Sequence, residues 1–246
     1  MSVKILDEII SCIKEDAPVS DVRIGPFWTA VRTRGCGLAS TTFVHEHKKR
    51  FPVEDAGILT EKSGRELCAY CRSQSLLEAT LGVAAINSML DVEPTDLTEI
   101  NASEVLFEKG AGKRVAIVGH FPFVPKLREV AEELWVIERR PQTGDLSEEA
   151  AEHVIPQADV VAITGTALIN GTMDRLLELC PKDSVVMVLG PSTPLSRVWF
   201  DHGVDLVSGT IVTDPDAILR FVSQGIVFKQ LHGRGVRLVT MSRNQI

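Results

Sequence analysis

The sequence lacks the motifs that make most enzymes readable. No G-x-x-x-x-G-K-[ST] phosphate loop, no H-E-x-x-H and no G-x-S-x-G occurs in its 246 residues. This removes the commonest nucleotide hydrolases, zinc proteases and serine hydrolases. No apolar run reaches the roughly 18 residues of a membrane span. The amino terminus alternates acidic and apolar residues, where a targeting segment would set a basic stretch before a hydrophobic one. Basic charge is also scarce: 26 Lys and Arg stand against 33 Asp and Glu, for a net charge of -7. Lys48-Lys49-Arg50 is an isolated cluster, too short to track a nucleic-acid backbone. The five cysteines (12, 36, 68, 71 and 180) are odd in number and scattered, which suits a reducing compartment better than a disulfide framework. These absences leave a cytoplasmic protein whose partner is a small molecule or a cation, with no nucleic acid and no membrane.

What is present falls into two textures. From residue 112 onward, runs rich in valine and isoleucine (RVAIVG, LWVIE, DVVAITG, SVVMVLG, VDLVSGTIV) alternate with helical patterns such as KLREVAEE and MDRLLELC. Continuous apolar runs of this kind are what strands buried on both faces look like. The expected fold class is α/β, with a Rossmann-like, doubly wound parallel sheet over residues 112–246. The first 107 residues read as a smaller α+β domain. There VKILDEIISCIK places Val3, Leu6, Ile10 and Ile13 on one helical stripe, VSDVRIG, WTAVRT and GLASTTF are extended, and SLLEATLGVAAINSML is a buried helix. The polar stretch from Glu108 to Lys113 reads as the linker.

Open parallel sheets bind ligands outside the carboxyl ends of their strands. That rule selects Gly119, His120 and Phe121 after the first strand, Glu138 and Arg139 after the second, and Thr164, Gly165, Thr166 and Asn170 after the third. Gly190, Pro191 and Ser192 follow the fourth, and Gly209 the fifth. A dinucleotide fingerprint wants three spaced glycines after the first strand, so that the backbone can approach a pyrophosphate. Here only Gly119 is present, followed by His-Phe-Pro-Phe, which argues against NAD. His120 is either a loop imidazole or a ligand and proton shuttle. Thr172 is expected to cap a helix with Asp174 in its first turn, and Thr193-Pro194 to begin another.

Elsewhere, Glu78 is the only charged residue between Arg72 and Asp91. Ser75-Leu-Leu-Glu78 matches a capping box, with an interdomain role as the alternative, and Asn87 faces nearly the opposite way. Cys68-Ala-Tyr-Cys71 is one C-x-x-C without the second pair that a structural zinc site wants. His45-Glu46-His47 reads as a solvated loop. A metal could be met by His120, Glu78 and Glu138 if they converge. Phe121, Phe123 and Trp28 are core residues or the walls of an aromatic ligand site.

Taken together, VGHFPF, ITGTALINGT, VLGPSTPL, VSGTIVTDPD and LLEATLGVAAIN resemble the heavy-metal chelation family of prokaryotic proteins, a domain of unknown function. The resemblance implies an amino-terminal domain similar to the enolase amino-terminal fold and a Rossmann-like domain, with a site in the crevice between them. It also implies metal chelation in cofactor biosynthesis or detoxification. The expected ligands are a divalent transition metal or a pterin-like or other chelating small molecule. Two further readings stand beside this one: a Rossmann-like enzyme using a nucleotide, S-adenosylmethionine or pterin with His120 or Glu78 as acid or base, and a non-catalytic interaction module.

Overall fold

The computed structural model describes residues 4–42, 53–231 and 233–243. Helix α1 (Lys4–Ser11) buries Ile5, Leu6 and Ile9, and Ile13 continues the stripe beyond its end. The face is rotated from the expected one, since Ile10 is only partly buried, and Val3 lies outside the described residues. Apolar residues at 5, 6, 9, 10 and 13 allow either face, and docking selects between them.

Strands β1 (Asp21–Ile24), β2 (Trp28–Arg32) and β3 (Cys36–Ser40) form an antiparallel meander in that order. Helix α2 (Gly64–Cys68) opens on a complete capping box, with the Ser63 hydroxyl accepting from Glu66 and the Glu66 carboxylate accepting from Ser63. Helix α3 (Leu76–Met89) is buried almost all the way round, as a helix apolar on every side must be. Across the small sheet, Trp28, Ala30 and Leu38 pack on Ile218, Leu219 and Val222.

Helix α4 (Ala102–Gly110) takes in the first half of the expected linker. Asn101 caps it by accepting from the Ser103 N–H, and Val105 and Leu106 pack against Val115, Ile117 and Leu127. The chain then alternates through β4 (Arg114–Val118), α5 (Val124–Val130), β5 (Glu133–Ile137), α6 (Ala151–Val154), β6 (Val160–Thr164), α7 (Thr166–Asn170) and α8 (Met173–Leu179). It continues with β7 (Val185–Leu189), α9 (Val198–Asp201), β8 (Leu206–Val212), α10 (Pro215–Ser223), α11 (Phe228–Leu231) and β9 (Val236–Ser242).

The six-stranded sheet has the order β5-β4-β6-β7-β8-β9, parallel except for β9, which runs antiparallel to β8. The sixth strand is not among the five expected ones: after a connection that carries α10 and α11, VRLVTMS comes back to pair antiparallel with β8 at the sheet edge. β4 and β6 are neighbours, and the chain leaves β4 towards β5 but β6 towards β7, so the strand order reverses between them and marks a switch point at their carboxyl ends. Among the described residues, no helix is long and apolar enough to cross a membrane.

Candidate functional site

The loop after β4 is shaped by Gly119, whose φ of +101° suits glycine and strains any other residue. Its N–H donates to the Ile137 carbonyl at 2.9 Å, and the next residue, His120, leaves the sheet. Two carboxylates from the loop after β5 hold that histidine. Glu138 Oε2 accepts the His120 backbone N–H at 3.1 Å, and Asp145 Oδ2 lies 2.9 Å from the ring Nδ1. The Asp145 side chain is only 2% exposed, against 29% for His120. Asp145 also accepts the Gln142 N–H at 3.0 Å. The loop is strapped back onto β5 by bonds from Glu138 N–H to Leu146 O and from Leu146 N–H to Val136 O.

His120 forms part of the wall of a cavity of about 580 Å³, within the range of small-molecule sites. The strand ends supply Thr164, Gly165, Gly190, Pro191 and Gly209, and the small sheet supplies Trp28 and Ser40. Two aromatic pairs border it. Phe121 and Phe123 stack with centroids 5.1 Å apart and planes at 14°, while Trp28 and Phe228 meet at 6.0 Å and 45°. The neutral polar groups are largely bonded to one another: Thr164 to Thr166 at 3.0 Å, Ser208 to Thr240 at 2.7 Å, and the Ser192 hydroxyl to the Ser40 N–H at 2.9 Å. Among the described lining residues there is one imidazole and no carboxylate, thiol, ammonium or guanidinium.

The residues selected from sequence divide between two hollows. His120, Phe121, Gly165, Gly190, Pro191, Ser192 and Gly209 line the large cavity. Gly119, Glu138, Arg139 and Asn170 line a second one of about 230 Å³, and Thr164 and Thr166 belong to both. The smaller hollow is charged, but its guanidiniums are committed: Arg139 to Glu148 at 3.0 Å and Asn170 at 3.1 Å, and Arg175 to Glu152 and Glu178.

Glu78 lines neither hollow. Its N–H donates to the Ser75 hydroxyl, as the capping reading expects, but its carboxylate accepts from the Glu54 N–H at 2.7 Å and from the Ser73 hydroxyl, instead of closing the box on Ser75. Glu138 is likewise engaged with backbone, accepting the amides of His120 and Arg139. His120, Glu78 and Glu138 therefore form no ligand set, and among the described residues no three His, Cys, Asp or Glu side chains cluster so as to hold an ion. Cys68 and Cys71 are buried, and desolvation pushes their thiols up to about 12 and about 11, far from the thiolate that a metal requires. His45-Glu46-His47 lies outside the described residues.

The capping expectations are met only in part. Thr172 occupies the cap position of α8 and Asp174 its first turn, as expected, but the Thr172 side chain makes no cap bond and Asp174 accepts from the Lys4 N–H at 3.2 Å. Thr193 begins no helix and is fully buried. The residue missed from sequence is Asp145. It sits in a Gln-Thr-Gly-Asp turn whose only signal, a glycine before an aspartate, marks turns in general.

Comparison with known proteins adds relatives but no assigned chemistry. Residues 101–241 match the model of a family, DUF364, described as "Putative heavy-metal chelation", and residues 6–90 match a second model, DUF4213, with the same description. The uncharacterised protein MJ0500 of Methanocaldococcus jannaschii is 27% identical over 250 residues, covering 93% of this chain and 96% of its own. A DUF364 protein of unknown function from Desulfitobacterium hafniense has a similar structure, with a TM-score of 0.81 at 27% identity over 98% of each chain. Another from Pyrococcus horikoshii gives 0.79 at 22% identity over 97% of this chain and 98% of its own, a likeness of fold.

Proposed function

Because this chain belongs to the DUF364 heavy-metal chelation family, we propose that it binds a flat, metal-chelating organic ligand in the crevice where the small sheet meets the strand ends. The observation that carries the reading is the chemistry of the cavity wall, which offers aromatic faces, neutral polar groups and one imidazole. Protein zinc sites use at least three protein ligands. One histidine does not hold a bare ion, so the donor set fits a metal that arrives inside a chelator. A pterin-like or other heteroaromatic chelator would lie between Trp28 and the Phe121–Phe123 stack, with His120 beside it. The ligand would supply the metal chemistry, and the chain would supply binding, orientation and exclusion of water. A place in cofactor biosynthesis or detoxification follows from the same reading, as does a cytoplasmic location.

The division into an amino-terminal, enolase-like unit over 1–107 and a Rossmann-like unit over 112–246 is part of this proposal. Separate family matches to the two halves support a division, but the second match begins at residue 101 and α4 packs with the second unit, which draws residues 101–107 to that side of the boundary. The strand order favours one alternative, an enzyme acting on a nucleotide, S-adenosylmethionine or a pterin at the same switch point, with His120 as the proton acceptor.

A thermal-shift comparison of metal-free protein tests the proposal. The ligands are bare Ni²⁺, Co²⁺ and Zn²⁺, pterin, 1,10-phenanthroline and its metal complexes, nucleotides and S-adenosylmethionine. A ligand at 100 times its Kd stabilises by about 2.7 kcal/mol, worth about 5–11 °C for a chain of this size. The expected result is that shift with the flat heteroaromatics and none with bare ions. Stabilisation by bare ions alone would overturn the reading, and stabilisation by nucleotide or S-adenosylmethionine alone would move it to the enzyme.

A further inference from the structure

We infer that Asp145 is a positioning residue that fixes the tautomer of His120 and leaves its Nε2 as the one imidazole lone pair the cavity presents to the metal of a bound chelate. The inference rests on the chelate reading above. It adds a residue and a ligand class: a planar chelate whose metal keeps one coordination position open.

The geometry supports this in three steps. A carboxylate accepts hydrogen bonds, so the 2.9 Å contact from Asp145 Oδ2 to the ring favours the Nδ1–H form of the neutral imidazole. In that form Nε2 carries the lone pair, and among the described residues no partner takes it. Next, the loop after β5 directs two carboxylates at residue 120, Glu138 at the backbone amide and Asp145 at the ring. Its own turn is closed by the Asp145 N–H on the Gln142 carbonyl and the Gln142 N–H on the Asp145 carboxylate, neither of which involves the ring. Finally, the Asp145 side chain is withdrawn from solvent to 2% exposure, although Gln142, Thr143 and Gly144 around it are exposed. Metal-binding histidines characteristically give their second ring N–H to a carboxylate, which orients the ring and raises its basicity.

The test uses the whole chain with Asp145→Asn and His120→Gln variants, each checked for an unchanged circular dichroism spectrum. Long-range ¹H–¹⁵N NMR on histidine-labelled, metal-free protein reads the tautomer, with His120→Gln providing the assignment. The expected result is Nδ1–H in the wild type and a mixture in Asp145→Asn, whose amide can donate as well as accept. Copper(II)–1,10-phenanthroline serves as the binding probe, followed by electron paramagnetic resonance. One imidazole nitrogen on copper is expected in the wild type, none in His120→Gln, and a 10–100-fold weaker affinity in Asp145→Asn.

An Nε2–H tautomer in the wild type, or a tautomer unchanged by Asp145→Asn, overturns the inference. So does a copper spectrum that His120→Gln leaves unaltered. A wild type that takes up phenanthroline but shows no imidazole on copper overturns the inference and leaves the cavity reading standing. A wild type that binds neither phenanthroline nor its copper complex overturns both.

Discussion

Replacing Gly165 by alanine opposes two effects of known sign. The residue sits at φ -58° and ψ -19°, ordinary helical backbone, so an alanine fits the main chain and should gain about 0.4–1 kcal/mol from a less flexible unfolded state. The added Cβ, however, would stand 2.5 Å from Thr193 Oγ1, 2.7 Å from the Thr193 nitrogen and 2.9 Å from the Ser192 carbonyl carbon. Two of these atoms are backbone, so no rotamer change relieves the contact, and Thr193→Ala in the same chain would not rescue it. Overpacking of this kind costs about 1–3 kcal/mol, and backbone contacts this short belong at the upper end. The net is about 2 kcal/mol of destabilisation, a fall in Tm of about 4–8 °C. The segment that must shift carries Ser192, whose hydroxyl accepts the Ser40 N–H, so affinity for phenanthroline should fall as well. Gly112→Ala is the control, at φ +64° with nothing within 4 Å and no part in the cavity wall; it should cost stability without changing probe affinity. Calorimetry and probe titration on the three proteins read both quantities. A Gly165→Ala variant as stable as the wild type or more so would show that the 190–193 turn is not pressed against β6, and the described cavity shape would be wrong.

Three further outcomes are expected. Glu78→Ala should lose about 1–3 kcal/mol, because the Glu54 N–H and the Ser73 hydroxyl lose a charged acceptor, while probe affinity holds; unchanged urea stability together with lost metal response would return Glu78 to the site. Asp159 is held at about 2, below its ordinary 3.8, chiefly by the Arg114 side chain and then by its backbone N–H. A depressed carboxylate stabilises the fold above its unfolded pKa, so the advantage of wild type over Asp159→Asn in urea midpoint should shrink as pH falls from 3.8 towards 2; a gap undiminished at pH 2 would refute the assignment. Of the five cysteines only Cys12 is exposed, and burial pushes Cys36, Cys68 and Cys180 up to about 12 and Cys71 up to about 11. One thiol per native chain should react rapidly with a chromogenic disulfide reagent at pH 8 and five after denaturation, and a second fast thiol would contradict the burial of one of these four.

The parallel strands are legible because burial on both faces leaves a local signature. RVAIV, ELWVI, VVAIT, VVMVL and LVSGT need only their own composition to be read. β9 has no such signature, since its place is fixed by the chain doubling back on β8, an event of tertiary packing. The missed α4 is different in kind. The cap at Asn101 and the adjacent Val105 and Leu106 were readable helix signals, but the polarity of Glu108 to Lys113 outweighed them.

The strand-end rule reaches His120 because the rule concerns sequence neighbours of a strand. Asp145 is 25 positions away, brought back by the Ile137–Leu146 bridge, and nothing local distinguishes it from any aspartate in a turn. Glu78 shows the reverse error, in which a lone charge in an apolar helix looks functional until its position in the first turn shows which amide it serves. Both cases bear on where the chelating atoms reside. A chain that held heavy metal by itself would gather free carboxylates or thiolates in one place. Here Glu78 and Glu138 are spent on backbone amides, Asp145 on a ring and Cys68 and Cys71 on the core, while the large cavity is walled by aromatic and neutral groups. In our proposal the chelating atoms therefore belong to the ligand, and the chain recognises its rings and offers the metal one nitrogen.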